Sequence, residues 1–195
     1  GKANDICALV YTSGTTGVAP KGVMISYDAM RFSAQNIVHN DPFYARDNIV
    51  SYMPPAWIAE QWYGIGCHLM SACILNFPEE PETQQHDIRE VGPQMIFYGS
   101  RLWEAQAAMI QAKVVDSDAL KRLIYHLLMP IGYKIADLEF SKRKPGFFWK
   151  TFYFIADILL FRPIRDWLGL KNVRICHTGG ALLSPDAFKF YYALK

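Results

Sequence analysis

The sequence lacks a large charge imbalance, closely paired cysteines and any long uncharged apolar segment. Its 195 residues carry a net charge of only +2, which is too small to indicate a nucleic-acid partner. None of the four cysteines forms a Cys-x-x-Cys pair, and the spacing of Cys67, His68 and Cys73 matches no zinc-ligand pattern. We therefore interpret the cysteines as reduced thiols of a cytoplasmic protein and assign no metal ligand. The chain starts at Gly1 without a methionine, which predicts an internal piece of a longer protein.

A stretch rich in glycine and hydroxyl groups lies between two apolar segments near the start of the chain. Residues 6–11 and 23–25 are apolar and predict two strands. Between them, glycines let the backbone approach an anion, hydroxyl groups can donate hydrogen bonds, and Lys21 adds a positive charge. The stretch predicts a phosphate-binding loop, with a surface loop that binds nothing as the alternative. It is not a Walker A loop, because Gly22 stands where that motif requires Ser or Thr after the lysine.

Short apolar strands alternate with helices over most of the chain. This alternation is typical of a parallel sheet buried on both faces, so the sequence predicts an α/β fold with a mostly parallel sheet and helices on both faces. Gly64 and Gly66 fall inside one predicted helix, where glycine costs roughly 1 kcal/mol, and this predicts very close packing beside them. After the loop, the predicted strands are 47–53, 72–77, 94–98 and 172–177, and the predicted helices are 26–39, 57–70, 83–91, 101–114 and one that begins at 184.

A helical segment at 117–170 interrupts that alternation. It is predicted to contain a helix to residue 140, a basic break, and an aromatic-rich helical stretch that is disturbed at Pro163. Residues 142–162 predict either peripheral contact with a membrane surface or a helix packed on the protein body, and the stretch is too short and too charged to span a bilayer. The predicted organisation is βα units with the loop in 1–115, the helical insertion in 117–170, and a strand, turn and helix that return to the sheet in 171–195.

Residues 11–22 resemble the phosphate-binding loop of the adenylate-forming (AMP-binding) superfamily, which includes acyl-CoA synthetases, aryl-CoA ligases, luciferases and adenylation domains. The family pattern is Tyr-Thr-Ser-Gly-Thr-Thr-Gly-x-Pro-Lys-Gly-Val, and this chain departs from it by having two residues, Val18 and Ala19, before the proline. The resemblance implies that the loop binds the phosphates of ATP, with Lys21 and Thr16 as catalytic residues. The nucleotide-binding residues that it implies here are Thr12, Ser13, Gly14, Thr15, Thr16, Gly17 and Lys21.

Three other segments carry the resemblance. Residues 52–60 are similar to the family motif Leu-Pro-Leu-Ala-His-x-x-Glu, with Trp57 in place of the histidine, and this implies that Trp57 and Glu60 bind the acyl substrate. Residues 98–104 are similar to Val-Pro-Arg-Val-Trp-Glu, which we interpret as structural. Residues 174–184 are similar to Arg-x-x-x-Ser-Gly-Gly-Ala-Pro-Leu-Ser, a turn that in the family lies against the adenine and the acyl group. It implies nucleotide binding by Gly179, Gly180 and Ala181, and substrate contact by Gly180.

The insertion at 117–170 points, within the superfamily, to the long-chain fatty acid–CoA ligases of the bacterial type. The resemblance implies a parent enzyme that uses ATP, Mg²⁺ and CoA to convert a long-chain fatty acid to an acyl-adenylate and then to acyl-CoA. The family's Tyr-Gly-x-Thr-Glu motif, its ribose-binding Gly-Asp pair and its C-terminal domain are not in this sequence. The chain is therefore predicted to be part of the large N-terminal domain and inactive alone. A non-catalytic nucleotide-binding module and a ligase for aryl or short-chain acids are the alternatives.

Overall fold

The structure, a computed structural model, describes residues 1–12 and 20–195, with Thr12 described by its backbone only. The described residues form two compact units, Gly1–Ile96 and Phe97–Lys195. Each unit contains both strands and helices, which confirms the predicted α/β class. Within the described ranges the strands pair two by two instead of forming one continuous sheet.

An antiparallel hairpin opens the first unit. Strand β1 (Ile6–Thr12) pairs with β2 (Lys21–Ser26), with Val10 opposite Val23 and Thr12 opposite Lys21. Both predicted strands are confirmed, and they pair antiparallel. The physical reason is the connection, because residues 13–20 are too few for the crossover of about a dozen or more residues that parallel strands need.

Helix α1 (Tyr27–Asn40) follows the hairpin directly. The Ser26 hydroxyl caps it by accepting a hydrogen bond from the Ala29 N–H at 3.2 Å, and Asp28 lies in its first turn, where a negative charge is favourable. Ala34 is the buried residue of this helix, and the helix packs against the segment around residues 60–71. The predicted helix at 26–39 is confirmed.

Two short parallel strands form the second pair of the first unit. Strand β3 (Asn48–Val50) lies beside β4 (Ile74–Asn76), with Ile49 buried at the centre of the register. The chain between them forms a widened π-helical segment (Glu60–Gly66) that continues as α2 (Cys67–Ser71). Helix α3 (Gln84–Val91) follows β4 and ends at Gly92, whose φ of 56° is the left-handed conformation that favours glycine.

The second unit contains the strand pair from which the Gly-Gly turn projects. Strand β5 (Met95–Gly99), which begins at the end of the first unit, leads into α4 (Ser100–Val115). It pairs with β6 (Ile175–Gly179), and the turn after β6 leads into α8 (Pro185–Leu194). Ser184 caps α8 by accepting from the Ala187 N–H at 3.3 Å, and Pro185 occupies the first turn.

The helical insertion consists of one long helix and a second that widens partway. Helix α5 (Ala119–Phe140) begins at Asp118, whose carboxylate accepts from the Lys121 N–H at 2.9 Å. Helix α6 (Phe147–Ala156) continues through a π-helical segment (Asp157–Phe161) into α7 (Arg162–Trp167). The disturbance predicted at Pro163 is thus a widening just before it, because proline has no N–H to complete the preceding helical hydrogen bonds.

Close helix packing holds the insertion to the last helix of the second unit. A Cβ atom at Gly132 of α5 would lie 2.8 Å from Phe161 Cζ and 2.9 Å from the Ala193 carbonyl oxygen. Glycine is therefore required there, and α5 runs unbroken through Pro130 because its buried face packs on α6 and α8. Among the helices in 1–12 and 20–195, none is both long and apolar enough to cross a membrane.

Candidate active site

Lys21 lies at the end of the first hairpin where the chain passes from β1 to β2. It is the first residue of β2, it is exposed, and it stands opposite Thr12 in the register. The structure therefore brings together the backbones of Thr12 and Lys21, the first and last of the nucleotide-binding residues predicted in this loop. Ser13, Gly14, Thr15, Thr16 and Gly17 lie outside the described residues, and their predicted roles stay predictions.

Trp57 lies on the surface at the start of the helical stretch of the first unit. Its side chain is 59% exposed, its backbone N–H donates to the Pro54 carbonyl at 2.9 Å, and its backbone carbonyl accepts from the Glu60 N–H at 3.1 Å. The backbone of Trp57 is thus held on both sides while its indole ring is exposed. Its role beside the acyl group stays a prediction.

Glu60 is buried, in contrast to Trp57. Its side chain is only 2% exposed, and the Ser51 hydroxyl donates to Glu60 Oε1 at 2.5 Å. Burial raises the pKa of the Glu60 carboxyl, and the hydrogen bonds from Ser51 and from the Met53 backbone only partly offset this. Burial also raises the pKa of Tyr52, with the nearby Glu60 charge as a smaller cause. The carboxyl therefore ties the segment after β3 to the π-helical segment.

The two glycines of this helical stretch explain why the carboxyl fits. A Cβ atom at Gly64 would lie 1.8 Å from Glu60 Oε1, and one at Gly66 would lie 2.9 Å from Ala34 Cβ. The close packing predicted from the glycines is confirmed, and its partners are the carboxyl of Glu60 and helix α1. Sequence reasoning did not identify Ser51 or the contact of Gly64 with Glu60. The available signal for that contact was the pair of glycines four and six residues after the glutamate, because glycine is costly in a helix.

The Gly-Gly turn follows β6 in the second unit. Gly179 ends the strand, and a Cβ atom there would lie 3.0 Å from Phe97 Cζ. Gly180 has a φ of 86°, and a Cβ atom built on it would meet nothing within 4 Å. Ala181 is exposed and follows directly. The turn therefore presents backbone to open space at the end of a strand, which is the place where α/β folds bind ligands.

Helices α4 and α8 support this turn through hydrogen bonds. Trp103 Nε1 donates to the His177 carbonyl at 3.1 Å, and the Ser184 N–H donates to Glu104 Oε1 at 3.0 Å. The Tyr191 hydroxyl donates to the Trp103 carbonyl at 2.7 Å. Trp103 and Glu104 belong to the segment interpreted as structural, and these bonds support that interpretation. A cavity of about 380 Å³ adjoins the strand end and is lined in part by Trp103, His177, Thr178 and Tyr191.

No metal centre is evident in the part of the chain that the structure describes. There, no three His, Cys, Asp or Glu side chains lie close enough together to hold a metal ion. All four cysteines are free, and burial raises the pKa of Cys67 to about 12, so its thiol stays protonated. The described residues offer a lysine at a hairpin end, an exposed indole three residues before a buried carboxyl, and an exposed glycine turn.

Comparison with known proteins identifies the family. The AMP-binding enzyme family matches residues 1–194. A rat protein named long-chain-fatty-acid–CoA ligase ACSBG2 is 30% identical over 99% of this chain and 29% of its own length. Long chain acyl-CoA synthetase 1 of Arabidopsis thaliana is 29% identical over 97% of this chain and 28% of its own length. This chain therefore spans less than a third of the length of these relatives.

Solved structures show the same fold. The A-PCP didomain of carboxylic acid reductase from Segniliparus rugosus, in complex with AMP, matches 98% of this chain and 23% of its own with a TM-score of 0.60 at 21% identity. VinN in complex with L-aspartate matches 100% of this chain and 35% of its own with a TM-score of 0.58 at 15% identity. Since the family match extends over nearly all of the sequence, the chain belongs to the AMP-binding enzyme family.

Proposed function

We propose that the parent protein, meaning the natural protein that contains these residues, is an ATP-dependent long-chain fatty acid–CoA ligase. The observation that carries this proposal is the similarity to the rat long-chain-fatty-acid–CoA ligase along 99% of the chain. In the first step a fatty acid carboxylate attacks the α-phosphorus of ATP, which gives acyl-adenylate and pyrophosphate. In the second step the CoA thiol displaces AMP and forms the thioester.

The role of this chain in the first step is electrostatic. The nucleophile is the substrate carboxylate, so no protein nucleophile or general base is needed. Lys21, at the hairpin end, is proposed to neutralise charge on the leaving pyrophosphate, with Thr16 and the other loop residues as hydrogen-bond donors. Trp57 and Glu60 are proposed to border the acyl group, and Gly179, Gly180 and Ala181 the nucleotide.

The cofactors proposed for the parent protein are ATP with Mg²⁺, and CoA as second substrate. The described residues hold no cluster of metal ligands, so no residue of this chain is assigned to Mg²⁺ and no step is derived through it. We also propose that the parent protein works in the cytoplasm, peripherally at the inner face of the membrane. The free cysteines support the first part of this proposal.

The test is fatty-acid-dependent ATP–pyrophosphate exchange by the parent protein. Acids from acetate to palmitate are compared with benzoate, and exchange is expected to be highest with the long chains. Lys21→Ala is expected to lower exchange by about 10²–10³-fold, as for loss of one group that stabilises transition-state charge. Lys2→Ala, at an exposed lysine near the start of the same unit, is the matched control and should leave exchange unchanged.

The other outcomes distinguish the alternatives. Exchange that is highest with acetate or benzoate would replace the long-chain assignment with a ligase for short-chain or aryl acids. ATP binding without exchange on any acid would identify a non-catalytic nucleotide-binding module.

A further inference from the structure

Helix α6 exposes an apolar face to solvent. This aromatic face consists of Phe147, Phe148, Phe152, Phe154 and Ile155, which are 79%, 75%, 52%, 60% and 43% exposed. The opposite side of the helix packs on α5 and is buried at Ala156. Soluble surfaces rarely present so many large apolar side chains together, so the face indicates a binding surface.

A basic rim borders the aromatic face. Lys142, Arg143, Lys144 and Lys150 are exposed, and no Asp or Glu occurs between Ser141 and Ala156. Within the described residues none of these four cations forms an ion pair. The rim therefore carries four positive charges that the rest of the described chain does not neutralise.

The backbone fixes Lys142 and Arg143 of this rim at the end of α5. Lys142 has a φ of 53°, and the N–H groups of Lys142 and Arg143 donate to the carbonyls of Glu139 and Leu138, each at 2.8 Å. These bonds end α5 in the left-handed manner that stops a helix. Three cations of the rim, Lys142, Arg143 and Lys144, thus follow a fixed helix end a few residues before the aromatic face begins, and Lys150 lies within α6.

We propose that the aromatic face and the basic rim dock on a bilayer that contains anionic lipid. Rings of this kind enter the boundary between headgroups and acyl chains, while lysine and arginine reach the anionic headgroups. Charge complementarity selects a lipid surface over an apolar protein groove, because four uncompensated cations beside the rings favour a negatively charged partner. At ten residues, α6 lies along the surface and does not cross it.

The docking has a consequence that rests on the proposed ligase function. A long-chain fatty acid partitions into the bilayer, so an enzyme held at that surface meets its substrate where the substrate is concentrated. The apolar face would then serve delivery of the acid and not its chemistry.

Vesicle sedimentation of the parent protein tests the proposal. Phosphatidylcholine vesicles are compared with vesicles that also contain phosphatidylglycerol, and only the second are expected to bind the protein strongly. Phe148→Ser with Phe152→Ser is expected to weaken binding at least about tenfold. The same two positions changed to Leu should keep most of it. Phe32→Ser with Phe77→Ser, at phenylalanines that are 62% and 69% exposed elsewhere, is the matched control and should bind like the wild type.

The basic rim is tested separately. Changing Lys142, Arg143 and Lys144 together to Gln is expected to weaken binding to anionic vesicles roughly a hundredfold at low salt and to reduce its salt dependence, with Lys150 as the remaining rim cation. Trp149, at the edge of the face, reports insertion, because its fluorescence should shift to shorter wavelength on anionic vesicles. The shift is measured as the difference between the wild type and Trp149→Phe.

Two results would overturn the proposal. One is vesicle binding that the double serine variant does not reduce. The other is a thiol introduced by Phe148→Cys that maleimide cannot label in the folded parent protein without lipid, since another segment of that protein would then cover the face. Exchange activity on a soluble medium-chain acid should survive the serine variants, so failure of docking and failure of the ligase assignment are separable.

Discussion

The neighbourhood of Glu60 and the aromatic face of α6 differ in where their side chains find partners. Glu60 is 2% exposed, accepts a hydrogen bond from Ser51, and lies against the bare Cα of Gly64. Phe148 is 75% exposed and lies opposite the packed side of its helix. The first region uses its polar and small residues to complete the fold, whereas the second leaves large apolar groups for something else. Substitutions should therefore cost stability in the first region and binding in the second.

A glycine-to-alanine substitution made in each region should give the largest difference in the free energy of unfolding. Gly64→Ala places a Cβ atom within 1.8 Å of Glu60 Oε1, so the carboxyl must leave its bond with Ser51. We expect a loss of about 2–3 kcal/mol in the free energy of unfolding, measured by urea denaturation of the parent protein. Gly146→Ala, before α6, is the control: its φ is −68° and a Cβ atom there meets nothing within 4 Å.

The control should change stability by a few tenths of a kcal/mol. If Gly64→Ala changed stability equally little, the Glu60 carboxyl would have an alternative position of similar energy. The predicted difference in stability between the two regions would then be wrong.

Removing the carboxyl itself should have the next largest effect. Glu60→Ala leaves the half-buried Ser51 hydroxyl without its acceptor and opens a cavity where the buried carboxyl was, and we expect a loss of about 2 kcal/mol in the free energy of unfolding. Glu60→Gln keeps the volume and an acceptor oxygen and should cost less. The pair of variants separates the packing of the side chain from its charge, and both are measured by urea denaturation near neutral pH.

The buried Glu60 carboxyl predicts that the stability of the protein depends on pH. Because burial raises the pKa of Glu60 in the folded state, folding favours the protonated carboxyl. Its contribution to stability is therefore present below the ordinary Glu pKa of about 4.3 and is lost as pH rises through the raised value. The stability of Glu60→Gln relative to the wild type should rise over that pH range, which urea midpoints would show. A relative stability that fell with pH would mean that the ionised carboxyl is the favoured form.

The sequence predicted the elements well and the partnerships less well. Apolar periodicity located β1, β2 and α1, and the cost of glycine in a helix predicted close packing at Gly64. The sequence did not predict that the Glu60 carboxyl packs against Gly64, because that contact depends on how the chain turns at Pro54 and Pro55. Glu60 matches a family motif, and its role at the substrate stays a prediction; the structure adds its bond to Ser51.

The local sequence pattern also did not predict how the strands pair. Residues 6–11 and 23–25 are apolar enough for a buried parallel strand or for a hairpin, and the short connection decided for the hairpin. The sequence likewise did not predict whether α6 is exposed, since an apolar helical segment can either pack in the core or present its apolar face to solvent. Only the coordinates show that Ala156 is buried while Phe148 is not.

The smallest stability effect is expected on the aromatic face. Phe148→Ser with Phe152→Ser should change the free energy of unfolding of the parent protein by less than about 0.5 kcal/mol, because exposed side chains contribute little to folding. Urea denaturation without lipid measures this, with the two leucine substitutions as the comparison. A loss above about 2 kcal/mol would show that the rings are packed in the parent protein, as core residues are. The same variants should lose stabilisation by anionic vesicles, since a surface that binds only the folded protein stabilises it in proportion to its affinity.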